Sequence, residues 1–206
     1  MSLYLIRHGE TALNAARVLQ PADTPLSARG LRQADAIAAR VAALAPAAIL
    51  ASDLPRALQT AQAIGAATGL RPIASTALRE RDFGELRGRA YDSLGFDPLA
   101  MTTAPAGGES AAEFAARVAR AFAEALALHA RVAGAGPLAI VTHGLVIEAL
   151  LTRHAHLAPG AAVPRRLANA SLSIVASAPP HMTLLVGCTL HLDDTARATV
   201  EGLHGG

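Results

Sequence analysis

Short, almost wholly apolar runs alternate with longer amphipathic stretches along most of this chain, and that alternation admits few architectures. The runs at 3–6, 48–51, 71–75, 137–141, 171–176 and 182–186 have strand length, and the segments between several of them repeat apolar residues at helical spacing. The pattern predicts an α/β fold, a three-layer sandwich with a mostly parallel central sheet flanked by helices. At 206 residues the chain suffices for one well-cored domain and is short for two. With no linker and no internal repeat, a single domain over 1–206 is expected.

Local signals fill in the elements. A helix follows Ser27 with Leu31, Ala34, Ala38 and Val41 on one face. Ser52 is expected to cap a helix from Asp53, with Pro55 in its first turn, where a missing N–H costs little. Ser110 and Glu113 form a capping box opening a helix whose Phe114, Val118, Ala121, Phe122 and Ala125 face inward and which ends near Gly134. Residues 144–153 have helical periodicity. The stretch 80–108 changes character: Gly and Pro recur, and Phe83, Tyr91 and Phe96 are three of only six aromatics. It is expected to be an active-site flap with short helical pieces. The tail after Asp194 is expected to fray.

Composition then removes whole classes of function. A chain that is 52% hydrophobic and 17% charged is too apolar for disorder, and its greasy runs fall short of the ~18 residues a membrane span needs. It begins on a strand-like run with no basic region ahead of it, so a cytoplasmic protein without membrane partners is expected. One cysteine, Cys188, excludes a disulfide framework or multi-Cys zinc site and reads as a small buried hydrophobe. Aromatics at 3% and a net charge of +2 argue against nucleic acid. All 18 basic residues are Arg, so amine chemistry, including the Walker A loop and Schiff bases, is absent. Alanine makes up about a quarter of the chain, far above ordinary usage, and only two asparagines persist, Asn14 and Asn169.

Open α/β sheets bind ligands outside the carboxyl ends of their strands. The first predicted strand ends in Arg7-His8-Gly9-Glu10-Thr11, the second delivers Ser52-Asp53 and then Arg56, and the late buried strand ends in Thr142-His143-Gly144. Two Arg and two His arriving from three strand ends suit a tetrahedral dianion, so a phosphate site is expected. Arg56 adds an electrostatic reason. A cation in a helix's first turn opposes the macrodipole by ~0.3–1 kcal/mol, which an anion seated on that N-terminus would offset. At ~4 Å and an effective dielectric near 20, each such charge pair is worth on the order of 4 kcal/mol before desolvation. Gly9 and Gly144 let backbone approach the ligand closely.

These residues resemble the histidine phosphatase superfamily, also called phosphoglycerate mutase-like. The likeness runs through Leu5-Ile6-Arg7-His8-Gly9-Glu10-Thr11, Ala51-Ser52-Asp53-Leu54-Pro55-Arg56-Ala57, Glu80-Arg81-Asp82-Phe83-Gly84, Gly107-Gly108-Glu109-Ser110 and Val141-Thr142-His143-Gly144, in family order, and Asn169-Ala170-Ser171 is similar to the start of the family's late strand. The resemblance implies that His8 is the nucleophile that takes the phosphoryl group on one ring nitrogen while the other donates to a backbone carbonyl. It also implies that Arg7, Arg56 and His143 hold the phosphoryl oxygens, and that Glu80 is the proton donor to the leaving group and later the base for water. Asn14 and Gln20 match positions that line the phosphate and substrate site, with Gly144 beside His143. No metal and no cofactor are implied, and the substrate is a small phosphate ester. A homodimer is the expected assembly if an apolar patch lies outside the crevice.

Two positions depart from the family pattern. Gln20-Pro21 stands where many relatives have Gln-Gly, stiffening that backbone, and Glu148 stands where relatives often have Arg. Other chemistries fail on spacing. Cys188 lacks the Arg of a C-x₅-R phosphatase, since Asp194 occupies that place. Asp193-Asp194 lacks a D-x-D spacing, and Gly134-Ala135-Gly136 precedes its strand instead of following one. His154 and His156 read as solvated histidines instead of a metal pair. Within the family the rival to hydrolysis is a mutase-type isomerase. Its relatives carry a longer insertion with basic residues including Lys, for which only Arg81, Arg87 and Arg89 are available here. A phospho-ligand-binding module without catalysis is disfavoured by the presence of His8, His143 and Glu80. The aromatics of the flap favour a partly apolar leaving group.

Overall fold

The computed structural model describes residues 1–192 apart from 133 and 159. The expected fraying after Asp194, and the readings of Asp193 and Asp194, lie outside the described residues. In chain order the elements are β1 (Ser2–Arg7), α1 (Ala12–Ala15), α2 (Ala28–Ala43), β2 (Ala48–Ser52), α3 (Pro55–Thr68), β3 (Ile73–Ser75), α4 (Ala111–Val132), β4 (Leu138–Thr142), α5 (Gly144–Arg153), β5 (Leu172–Ala176) and β6 (Thr183–Cys188). Between β3 and α4 run single 3-10 turns at Thr76–Leu78, Gly84–Leu86, Tyr91–Ser93 and Pro98–Ala100.

Six strands form one sheet in the order β3-β2-β4-β1-β5-β6. β1, β2, β3 and β4 pair in parallel. β5 runs against β1, and β6 against β5, so five strands point one way and only β5 opposes them. Side-chain alternation along the strands makes the three layers. Leu3, Leu5, Ala48, Leu50, Leu138 and Ile140 face α4 and α5. Tyr4, Ile6, Ile49, Ala51, Ala139 and Val141 face α2 and α3. β2 and β4 are buried along their whole length, which is why these strands read as continuous apolar runs instead of alternating ones.

The helices follow their local signals with two corrections. The Ser110 capping box is present, with Glu113 N–H donating to Ser110 Oγ (3.2 Å) and Ser110 N–H to Glu113 Oε2 (2.9 Å). Pro55 is in the first turn of α3, but Ser52 does not cap that helix: Leu54 is the N-cap without a side-chain bond, and Ser52 turns to His143 instead. On α2 the buried stripe is Gly30, Gln33, Ala34, Ile37, Ala38 and Val41, whereas Leu31 is 48% exposed. The stripe is rotated because the loop after β1 packs on Gly30 and Gln33. Cys188 is half-buried at the end of β6 and accepts from Arg40 Nη1 (3.2 Å), so it is no simple apolar filler. His154 is not merely solvated either, since its ring lies 5.2 Å from that of Phe122. No helix among the described residues is long and apolar enough to cross a membrane.

The contact of Gly9 with Gly30 is the tightest constraint near the strand ends. A Cβ on Gly30 would lie 1.9 Å from the Glu10 carbonyl oxygen, and one on Gly9 would lie 2.4 Å from that of Gly30. Gln33 Oε1 accepts from Glu10 N–H (2.8 Å), and Thr60 Oγ1 accepts from Gly9 N–H (3.1 Å). Gly30→Ala, ordinarily a favourable helix substitution, is therefore expected to destabilise the fold by about 1–3 kcal/mol or more. Urea unfolding of the two proteins would measure the difference.

Candidate active site

The strand order explains why the residues meet. β2, β4 and β1 are neighbours in the sheet, so the segments leaving their carboxyl ends share one rim. The rings of His8 and His143 are 5.1 Å apart, tilted by 60°. Both are buried, as is Arg56.

His8 is held by what surrounds its backbone. Its N–H donates to Thr142 O (3.0 Å), and its ring Nδ1 lies 2.7 Å from Gly9 O. A carbonyl only accepts, so Nδ1 carries the proton and Nε2 keeps its lone pair. Burial, reinforced by the charges of Arg56 and Arg7, pushes the His8 pKa well below its ordinary 6.5. The imidazole is neutral at neutral pH. Burial likewise pushes His143 well below that value, followed by Arg56, His8, Arg7 and Arg117. His143 Nε2 lies 2.8 Å from Ser52 Oγ, which also accepts from Leu54 N–H (3.3 Å). When the hydroxyl donates to Nε2, the neutral ring carries its proton on Nδ1.

The cations are short of partners. Arg7 Nη1 donates to Leu167 O, and Arg56 Nη1 donates to Pro21 O (3.3 Å) and Ala22 O (3.5 Å). No hydrogen-bond partner among the described residues reaches the buried Arg7 Nε, Arg56 Nε or His143 Nδ1. Burial lowers the Arg56 pKa to about 10, with the charges of Arg87 and Arg7 adding to it against Glu80. Arg56 remains a cation at pH 7, in a place where a cation is costly without an anion. Gly144, first residue of α5, brings its Cα side against Arg7: a Cβ there would lie 3.6 Å from Nε.

Glu80 stands at the N-terminal turn of α5. Its Oε2 accepts from Leu145 N–H (3.2 Å) and its Oε1 from Arg81 N–H (3.0 Å). Burial raises its pKa above 4.5 despite those bonds and the charges of Arg56 and Arg7. Asn14 and Gln20 are tied together through Thr11. Thr11 Oγ1 donates to Gln20 Oε1 (2.8 Å), and Thr11 N–H donates to Asn14 Oδ1 (3.3 Å). The chain's two asparagines touch: Asn169 Nδ2 donates to Asn14 Oδ1 (3.1 Å) and also to His8 O and Gly9 O (3.1 and 3.2 Å).

The flap pairs with the loop that carries Gln20. Leu19 N–H donates to Arg89 O (3.0 Å), Gly88 N–H to Leu19 O (2.7 Å) and Tyr91 N–H to Arg17 O (2.9 Å). Its aromatics behave differently from the expectation. Phe83 is buried under the Arg81 guanidinium, 5.3 Å from its ring centre. Phe96 is exposed. Only Tyr91 interacts electrostatically with Arg7 and Glu80. Arg81 is committed to Glu109 O (3.1 Å), and Arg87 pairs with Asp82 (2.8 Å) while its charge still bears on Arg56. The backbone carbonyl of Pro21 accepts from Arg56 Nη1 (3.3 Å), a bond that does not depend on the residue being proline. Glu148 is partly buried on α5 with Arg165 as the charge that bears on it.

The sequence profile of the histidine phosphatase superfamily (branch 1) matches residues 3–186, a span that holds every group just described. This chain belongs to that superfamily. A probable phosphoglycerate mutase GpmB of Yersinia enterocolitica is 38% identical over 185 residues, covering 85% of this chain and 84% of the relative. Among solved structures, a mycobacterial glucosyl-3-phosphoglycerate phosphatase determined with VO3 is 30% identical, with a TM-score of 0.78 over 91% of this chain and 99% of its own. The Bacillus stearothermophilus protein YhfR is 28% identical, with a TM-score of 0.77 over 93% and 99%. The chain is thus an enzyme of the histidine phosphatase superfamily, with relatives named for two different reactions.

Several supporting residues were not singled out from sequence. Gln33 and Thr60 are polar residues on largely apolar, buried helix stripes, which is the signal the sequence carries for them. Ser52 was read for the wrong partner. Arg117 and Glu109 lie in α4 and just before it, where charge is unremarkable in a sequence.

Proposed function

We propose that this enzyme hydrolyses small phosphate monoesters through a phosphohistidine on His8, without metal or cofactor and in the cytoplasm. The observation that carries the reading is a neutral imidazole with a free Nε2 among three buried donor nitrogens that lack partners, on Arg7, Arg56 and His143. The Nε2 lone pair forms a bond to phosphorus as the ester P–O bond breaks, its electron pair leaving on the alcohol oxygen. Protonated Glu80 gives that oxygen its proton. After the alcohol leaves, Glu80 takes a proton from water, the water oxygen bonds to phosphorus, and the N–P electron pair returns to Nε2. Phosphate departs, and Glu80 is protonated again. Arg7 and Arg56 neutralise the phosphoryl oxygens and His143 Nδ1 donates a hydrogen bond to them, while Asn14 and Gln20, oriented by Thr11, line the approach and Gly144 leaves room for Arg7.

Isomerisation is the second reading, favoured by the names of the mutase relatives and by Arg87 near Arg56. Hydrolysis is supported by the burial of Arg81 away from a substrate and by the phosphatase among the structural neighbours. The test is phosphate release from p-nitrophenyl phosphate and metabolite esters in EDTA, beside 3-phosphoglycerate isomerisation with and without a bisphosphoglycerate primer. Release is expected to exceed isomerisation, and primer-dependent isomerisation in excess of release would select the mutase. The same assay across pH is expected to give a bell-shaped kcat/KM for alkyl esters. Activity needs His8 neutral, so the acid limb falls well below pH 6.5. It also needs Glu80 protonated, so the alkaline limb lies above pH 4.5 and disappears in Glu80→Gln.

A further inference from the structure

We propose that Arg117, together with Glu109, is a positioning residue for the general acid: it fixes the backbone of residues 77–80 and so sets where the Glu80 carboxyl stands. The inference rests on the role of Glu80 proposed above. Arg117 lies on α4 and spends all five of its N–H bonds locally. Nη1 donates to Ala77 O (2.9 Å) and Arg79 O (2.7 Å), Nη2 to Glu80 O (3.3 Å) and Glu109 Oε2 (2.6 Å), and Nε to Glu109 Oε1 (2.9 Å). The remaining carbonyl of this stretch, Leu78 O, accepts from Thr142 Oγ1 (2.7 Å) at the end of β4. Four consecutive carbonyls are therefore held by side chains from α4 and β4.

This segment lacks ladder bonds of its own beyond one 3-10 turn, so its course is set from outside. Glu109 fixes the other flank of Glu80: its N–H donates to Asp82 O (2.8 Å), and its carbonyl accepts from Arg81 Nε (3.1 Å). Arg79 adds a two-pronged contact to Asp53 (2.7 and 2.5 Å), the residue after Ser52. The Arg117–Glu109 pair is largely buried, with side chains 16% and 14% exposed, so water cannot replace it freely. Only a planar fork makes these five bonds together; a lysine keeps the charge and loses the geometry.

The experiment compares kcat/KM for an alkyl ester, 2-phosphoglycerol, with that for p-nitrophenyl phosphate. An alkoxide needs the proton of Glu80 to leave, and a nitrophenolate does not, while kcat/KM stops at the first irreversible step. Arg117→Lys is expected to lower the alkyl-ester value by about 10–100-fold, the scale of a ~1 Å misplacement, and to lower the alkyl-to-aryl ratio at least about tenfold. Combined with Glu80→Gln, it is expected to cost little more than Glu80→Gln alone. Equal losses on both esters, or losses that multiply in the double variant, would overturn the proposal. If Glu80→Gln itself leaves the ratio unchanged, the general-acid role fails and Arg117 loses its assignment with it. Should Arg117→Lys fold poorly, Glu109→Gln, which preserves side-chain shape, is expected to shift the ratio the same way. An unchanged ratio there refutes the pair.

Discussion

His8→Ala is expected to lower kcat for ester hydrolysis by about 10⁴-fold or more, the scale on which enzymes respond to loss of a covalent nucleophile. It is also expected to abolish an alkali-stable, acid-labile phosphoryl label that the proposed phosphohistidine would leave on the wild-type chain. The fold is expected to survive, because the His8 ring makes one hydrogen bond, to Gly9 O, and Asn169 also donates to that carbonyl. Acid stability supplies an internal control. The native His8 pKa lies well below 6.5, so on acidification through pH 6.5 the unfolded chain binds a proton that the native protein refuses. Stability is present above pH 6.5 and lost as pH falls toward the native value. His8→Ala removes this contribution, so its melting temperature falls less between pH 7 and pH 5 than that of wild type. Residual turnover equal to wild type would move the nucleophile elsewhere.

Arg56→Met is expected to lower kcat/KM by about 10²–10³-fold, as for removal of one preorganised charge on a phosphoryl oxygen, without lowering the melting temperature in phosphate-free buffer. The second half of that expectation follows from burial. Burial lowers the Arg56 pKa and the charges of Arg87 and Arg7 add to that, and the bonds of Arg56 to Pro21 O and Ala22 O are long. Replacing a poorly compensated buried cation by an apolar chain of similar length is often neutral or stabilising. Inorganic phosphate should behave in the opposite way. At 100 times its Kd it stabilises wild type by about 2.7 kcal/mol, roughly 5–10 °C for a chain of this size, and most of that shift disappears in Arg56→Met. A variant that melts well below wild type yet keeps its phosphate shift would show that Arg56 serves the fold and not the anion.

The catalytic rim was legible because its groups are chemically unlike their surroundings. Arg-His after an apolar strand, His-Gly after another, and an Arg in a helix's first turn each contradict the local pattern, and an ordinary α/β sheet brings strand ends together. The frame that holds those groups was harder to see. Ser52 has the residue type of a helix cap, and nothing local distinguishes a serine that caps from one that bonds a histidine 91 positions away. Leu31 fits the helical stripe as well as Ile37 does; the rotation of α2 was decided by Gly30 meeting the backbone of Glu10, a tertiary contact. The irregularity of the flap was legible from its Gly and Pro, but that Tyr91 adjoins the charges while Phe83 stacks on Arg81 depends on a chain path that periodicity does not encode. Asn169 was the partial exception: rarity drew attention to it, though the bond to Asn14 needed coordinates.

The order of the sheet has a consequence for biosynthesis. β4 occupies the slot between β1 and β2, yet it is made some ninety residues after β2, once the flap and α4 have been synthesised. A nascent chain shorter than about 143 residues has the first histidine but neither its companion nor the central rung of the sheet, and two partly built strand edges face each other across a gap. The pocket therefore closes in a single late insertion that unites distant stretches, a slow kind of assembly for a domain of this length. Its ability to grip an anion should appear abruptly in a series of lengthening nascent chains.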